Sequence, residues 1–227
     1  MWTHYRTRFL SNSPDYVTMA AIFFDVDGTL VRWQGDYAEI VTEAFDAVGV
    51  EPTDDRLDAY NEHFFRHFGD FADDPYLRAF EDVCEAHHID SDPDELAEAL
   101  VAAEFAAVEP VPGVERAVER LADDHTLGIL TNGVPAVQFG KVEDIGLIDH
   151  FDATVASHDA AIEATKPDPA IFEAAKSRVD AEPYVMVGDD REPDIDGAQA
   201  AGFETVHVDA GSTDLRAPDF QTLATLL

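Results

Sequence analysis

With 227 residues, 46% of them hydrophobic, the chain can bury a substantial core, which excludes wholesale disorder. Its 48 Asp and Glu against 14 Lys and Arg give a net charge of −34, a surface that would repel nucleic acid and anionic membranes. No run approaches the ~20 apolar residues of a membrane helix, no secretory leader is indicated, and the single Cys84 excludes an internal disulfide and fits a reducing cytoplasm.

The acids lie dispersed between regularly spaced apolar positions. They read as a solvated surface suited to high salt, rather than as a nucleic-acid mimic or a cation store. The expected setting is the salt-rich cytoplasm of a salt-loving organism.

Residues 1–18 differ in character from the rest of the chain. Arg6 and Arg8 stand against Asp15 alone, and a second Met at position 19 opens directly onto the first strand. This segment is expected to be a loose tail or the product of an upstream start codon, with no part in function; a transit peptide is the alternative.

Next comes "AAIFFDV", an almost wholly apolar run of the kind that forms a parallel strand buried on both faces. Residues 33–108 then carry at least four amphipathic helical stripes. Tyr37, Ile40, Val41, Ala44, Phe45 and Val48 form the first, and Leu57, Tyr60, Phe64 and Phe68 the second. Leu77, Phe80, Val83 and Cys84 form the third, and Leu96, Leu100 and Ala103 the fourth. That is too long for a crossover, so it is a helical domain inserted after the first strand, with joints near "VRWQGD" and "VEPVPG".

Val114, Ala117, Val118 and Leu121 then predict a helix, followed by the strand "TLGILTN". "ATVAS", "YVMVGD" and "ETVHVD" are further strands, and "DPAIFEAAKSRV" is a helix with an Asp cap and an early Pro. Alternating strands and helices predict an α/β fold: a doubly wound, Rossmann-like parallel sheet over residues 19–32 and 109–227, interrupted by the helical insert.

In such sheets ligands bind beyond the carboxyl ends of the strands. Here those ends are Asp25-Val26-Asp27-Gly28-Thr29, Thr131-Asn132-Gly133, Lys166-Pro167-Asp168-Pro169 and Gly188-Asp189-Asp190, with Asp194 beyond. Asp25 and Asp27 lie two apart on one strand and should share a face and repel. Either something positive sits between them or one holds a proton. Several carboxylates at one point call for a hard cation with all-oxygen ligands, which suits Mg²⁺. Lys166, one of only three lysines, is the second positive charge.

"DVDGT", "LTNG", "KPDP" and "VGDDREPD", in that order, resemble the four motifs of the haloacid dehalogenase superfamily. The likeness covers residues 20 to about 210. The insert after the first motif is similar to the superfamily's α-helical cap, and "TNGVPAVQFGK", with Gln138 and Lys141, resembles the subset with house-cleaning nucleotidases and sugar-phosphate phosphatases.

The resemblance implies a role for each residue. Asp25 would be the nucleophile that forms an aspartyl-phosphate, and Asp27 the general acid, then base. Asp25, Asp189 and the Asp27 carbonyl would ligate Mg²⁺, with Asp194 acting through water or behind the ligands. Thr131, the Asn132 amide and Lys166 would hold phosphoryl oxygens. The implied activity is Mg²⁺-dependent hydrolysis of a small phosphorylated metabolite.

A phosphomutase uses the same motifs and is the runner-up. The superfamily's dehalogenases lack an acid at the place of Asp27, and its transport ATPases carry Thr there. A binding protein that has lost catalysis would be expected to have lost part of this set, and nothing is missing. The sequence names neither the substrate nor the oligomeric state. Asp190 is expected to be solvated. His63 and His67, four apart on a helix, lack a third metal ligand and read as packing or surface. Cys84 reads as core, and Trp33 either touches substrate or packs.

Overall fold

The computed structural model describes residues 19–208; the mismatched segment 1–18 and the C-terminal residues 209–227 lie outside them. Strand β1 (Ala21–Phe24) is buried along its whole length. Its side chains alternate between two cores: Ile22 and Phe24 enter one, Ala21 and Phe23 the other. With both faces covered, the strand has no use for alternating polarity, hence the unbroken apolar run.

After a tight turn the chain forms β2 (Val31–Trp33) and then four helices: α1 (Tyr37–Ala47), α2 (Asp54–Gly69), α3 (Pro75–His87) and α4 (Pro93–Ala106). α3 and α4 begin as their sequences dictate, with Pro at the first position and a capping Asp before it. Asp74 accepts from the Leu77 amide (3.0 Å) and Asp92 from that of Asp94 (3.1 Å). The four predicted stripes meet in one core of Ile40, Phe45, Tyr60, Phe80, Leu96 and Leu100, among others. The chain returns through β3 (Val108–Pro110), which pairs antiparallel with β2, Val31 opposite Pro110. The expected joints are therefore hydrogen-bonded to each other.

The remaining elements alternate as predicted: α5 (Val114–Ala122), β4 (Thr126–Thr131), α6 (Pro135–Asp144), β5 (Ala153–Ala156), α7 (Pro169–Ser177), β6 (Tyr184–Gly188), a one-turn α8 (Gly197–Ala200) and β7 (Glu204–His207). The five long-range strands pair in parallel in the order β5-β4-β1-β6-β7. Counted along the sheet strands alone, that order is 3-2-1-4-5, so the topological switch point falls at β1. α5 packs on one face with Val114, Val118 and Leu121. α7 and α8 pack on the other with Ile171, Phe172 and Ala198. The sheet is doubly wound, and in such sheets the ligand crevice lies beyond the carboxyl ends of the strands at the switch point, here β1.

Candidate active site

The ends of β1, β4 and β6 and the segment before α7 supply the crevice. Asp25 follows β1 directly, its amide bonded to the Val187 carbonyl (3.0 Å) of β6. Lys166 reaches it from the segment before α7. The Lys166 ammonium donates to Asp25 Oδ1 (2.7 Å), Asp194 Oδ1 (2.6 Å) and the Leu130 carbonyl (2.9 Å). Those three acceptors use all three of its donors, as a fully buried ammonium requires. Burial opposes its charge, but Asp25 and Asp194 outweigh that and hold its pKa above the usual lysine value. Asn132 clasps the Lys166 backbone at both ends: its Nδ2 donates to the carbonyl (3.0 Å) and its Oδ1 accepts from the amide (2.7 Å). Sequence reasoning assigned Asn132 only an amide; its side chain fixes the lysine.

Asp25, Asp189 and Asp194 each offer a carboxylate oxygen, all within 4.8 Å of one another. Two glycines permit this approach. A Cβ on Gly28, which lies at φ +80°, would sit 2.1 Å from Asp189 Oδ2. One on Gly188 would sit 2.3 Å from Asp194 Oδ2. Thr29 donates to Asp189 Oδ1 (3.3 Å), and the amide of the exposed Asp190 donates to Asp194 Oδ2 (3.1 Å). Burial pushes the Asp25 carboxyl up to about 7, against the pull of Lys166; burial and then Asp194 raise Asp189. Three acids against one ammonium form an oxygen-only donor set that suits a hard divalent cation such as Mg²⁺. Thr131, buried at the end of β4, completes this side of the crevice.

Asp27 is not in that group. The chain turns sharply at Val26, whose carbonyl accepts from the amides of Leu30 (2.9 Å) and Val31 (3.0 Å). The Asp27 carboxylate faces α6 instead, where Gln138 Nε2 donates to Oδ2 (2.9 Å) and Lys141 Nζ lies 3.1 and 3.2 Å from the two oxygens. Lys141 also lies 3.3 Å from Glu104 Oε2 of α4 and 4.3 Å from the centre of the Trp33 ring. Tyr37 donates to Glu104 Oε1 (2.9 Å). Burial raises the Glu104 carboxyl, which Lys141 and Tyr37 partly offset. The expected repulsion between Asp25 and Asp27 is therefore relieved before any metal is considered, because each acid has its own lysine.

Gln138 and Lys141 entered sequence reasoning only as part of a motif, and Glu104 was missed. Signals for both existed. Gln138 and Lys141 are three apart and so share a helix face. Glu104 continues the four-residue spacing of Leu96 and Leu100 and puts a charge on an apolar stripe.

Of the remaining candidates, Trp33 stands beside Lys141, and the histidines and Cys84 lie in the insert away from the crevice. His67 Nε2 lies 2.6 Å and His63 Nδ1 3.7 Å from Asp82, to which Arg66 also donates, an ion cluster on the insert. Cys84 is buried in the insert core, and Trp33 packs edge-on against Tyr37, 5.9 Å between ring centres. A cleft of about 530 Å³ runs between α3, α4 and the start of α6, lined by Tyr76, Leu77, Ala97, Val101, Phe105 and Val137 among others. No helix among the described residues is long and apolar enough to cross a membrane.

Residues 19–202 match the family described as haloacid dehalogenase-like hydrolase. The chain belongs to that family. It is 30% identical over 219 residues to a glyceraldehyde 3-phosphate phosphatase of Methanopyrus kandleri, covering 88% of this chain and 91% of that one. It is 33% identical over 128 residues to the pyrimidine 5′-nucleotidase YjjG of Escherichia coli, covering 55% and 56%. The chain thus spans about half the length of the first curated relatives it matches. Its fold is similar to a 2-haloacid dehalogenase structure from Pseudomonas syringae, with a TM-score of 0.67, 27% identity, and 92% and 100% of the two chains covered.

Proposed function

We propose that this family member is a Mg²⁺-dependent phosphomonoesterase that works through an aspartyl-phosphate on Asp25. One observation carries the reading: Asp25 and Asp27, with one residue between them, are held by different partners. Asp25 lies beside Lys166 and the acidic cluster, while Asp27 is held apart by Gln138 and Lys141 with its side chain 32% exposed.

Asp25 and Asp189, with the Asp27 carbonyl and Asp194 in support, would hold Mg²⁺, which when bound supplies positive charge against the carboxylates and the substrate phosphate. A carboxylate oxygen of Asp25 attacks phosphorus as the bond to the leaving oxygen breaks, and Asp27, which must enter this step as the carboxylic acid, gives that oxygen its proton. Asp27, now anionic, takes a proton from water. The hydroxyl attacks phosphorus, inorganic phosphate leaves, and the Asp25 carboxylate is restored. Thr131, the Asn132 amide and Lys166 hold the phosphoryl oxygens, where charge stabilisation and positioning supply most of the rate. The substrate is a small phosphorylated metabolite, screened from water by the insert 33–108 acting as a cap. The charge of −34 and the lone Cys84 support a salt-rich, reducing cytoplasm as its setting.

The likeness to a dehalogenase structure favours a second reading on the same scaffold. A halide, however, leaves as a stable anion and needs no proton, so Asp27 and its two holders would have no task. A phosphomutase needs the same groups and differs in returning the phosphoryl group to an organic hydroxyl. Release of inorganic phosphate from p-nitrophenyl phosphate in molar salt separates these readings. Activity should require Mg²⁺, vanish in EDTA, and fall by about 10³-fold or more in Asp25→Asn. Full activity in EDTA, or an Asn variant within about tenfold of wild type, would overturn the reading.

A further inference from the structure

Among the described residues, Lys141 joins two parts of the fold through buried charge. It comes from α6, beside the sheet, while Glu104 comes from α4 of the insert, and each is 1% exposed. The ammonium hydrogen-bonds both Asp27 oxygens, Oδ1 at 3.1 Å and Oδ2 at 3.2 Å, and forms an ion pair with Glu104 Oε2 at 3.3 Å. As a device for stability this is poor, because desolvating an ammonium and a carboxylate costs about as much as their attraction returns. As a device for geometry it is effective. The Asp27 carboxylate is gripped through both oxygens and again by Gln138 at 2.9 Å, so it cannot swing toward Asp25 without breaking three contacts.

We infer that Lys141 is a positioning residue for Asp27, holding its carboxylate clear of the Asp25–Asp189–Asp194 cluster and aimed at the leaving oxygen. Through Glu104 it ties that aim to the seating of the insert. The inference rests on the reading of Asp27 as the general acid. Because Glu104 rides on α4, its contact with Lys141 holds only while the insert sits against the sheet as it does here. The acid is set by the contact that seats the insert.

The test uses two esters of like shape, phenyl phosphate and p-nitrophenyl phosphate. Phenolate needs a proton in order to leave, and p-nitrophenolate leaves readily without one. Asp27→Asn is the reference and should lose far more activity on phenyl phosphate. Lys141→Met is expected to show the same bias, with kcat falling about 10- to 100-fold further on phenyl than on p-nitrophenyl phosphate while KM changes little. Lys141→Arg should recover part of the loss. Since Lys141→Met leaves Glu104 buried and unpaired, Lys141→Met/Glu104→Gln is measured alongside it, with melting temperatures for both, and should show the same bias. Equal losses on both esters in the Lys141 variants, with Asp27→Asn still biased, would overturn the positioning role and leave the phosphatase reading intact. No bias in Asp27→Asn would remove the acid role and this inference with it. If neither Lys141→Met nor Lys141→Met/Glu104→Gln folds, Lys141 is a structural ion pair and the positioning role falls.

Discussion

Asp25, Asp27, Thr131 and Asp189 were legible in the sequence because each stands at or just beyond the point where an apolar strand stops, and Lys166 because it is one of only three lysines and precedes a Pro-capped helix. Their partners were harder to read. Lys141 meets Asp27 across 114 residues through the facing of α6, which no local pattern states. His158 is a further residue that only the structure explains. The Gly133 amide donates to Ser157 Oγ (2.9 Å), Ser157 Oγ lies 2.9 Å from His158 Nδ1, and His158 Nε2 lies 2.9 Å from the Phe68 carbonyl at the end of α2. An imidazole that accepts at Nδ1 and donates at Nε2 is neutral. Burial lowers its pKa, which the bond to Phe68 partly offsets. The folded protein then binds this proton less readily than the unfolded chain, whose histidines titrate near ~6.5. The contribution is complete above that pH and is lost as pH falls through the lower folded value. The difference in unfolding midpoint between wild type and His158→Gln should therefore shrink from about pH 7 to about pH 5. A difference independent of pH would show that the imidazole is not held neutral.

At the scale of elements, the insert helices were legible because each presents its own apolar stripe, and the stripes bury mainly against one another. Phe80 lies at their centre, fully buried, with ring centres 4.6 Å from Tyr60 and 5.5 Å from Phe45. Phe80→Ala should cost about 3–5 kcal/mol in chemical denaturation. Phe65→Ala, on the same insert but 68% exposed, should cost less than about 0.5 kcal/mol. Similar costs for the two would mean that the helices do not share a packed core. The short pair β2 and β3 was not legible. Three residues are too few to establish a period, and the Arg32–Glu109 contact that joins them (2.7 Å) spans 77 residues.

For the whole molecule, composition states the charge but not how it is borne. With 48 acids facing 14 bases, pairing cannot neutralise the surface. Screening must do so, and the Debye length shortens from about 30 Å at 0.01 M salt to about 3 Å at 1 M. The unfolding midpoint should therefore rise steeply with KCl into the molar range. Equal stability at about 10 mM and about 1 M would show that self-repulsion is not the limiting term. The placement of the insert over the sheet was also beyond the sequence, because it depends on contacts such as Val137 of α6 entering the insert core.

The pairing of Val31 with Pro110 has a consequence for descent as well as for shape. A segment whose two ends already touch costs its host little chain entropy, and that cost grows only slowly with the length between them. The host sheet therefore meets the insert as a cassette on a two-stranded stem. Helices can be added, shortened or exchanged beyond the stem while the four strand-end loops keep their register. On this scaffold the helices beyond the stem and the loops of the sheet can change independently, except where they touch, as Glu104 does at Lys141 and Val137 does in the insert core.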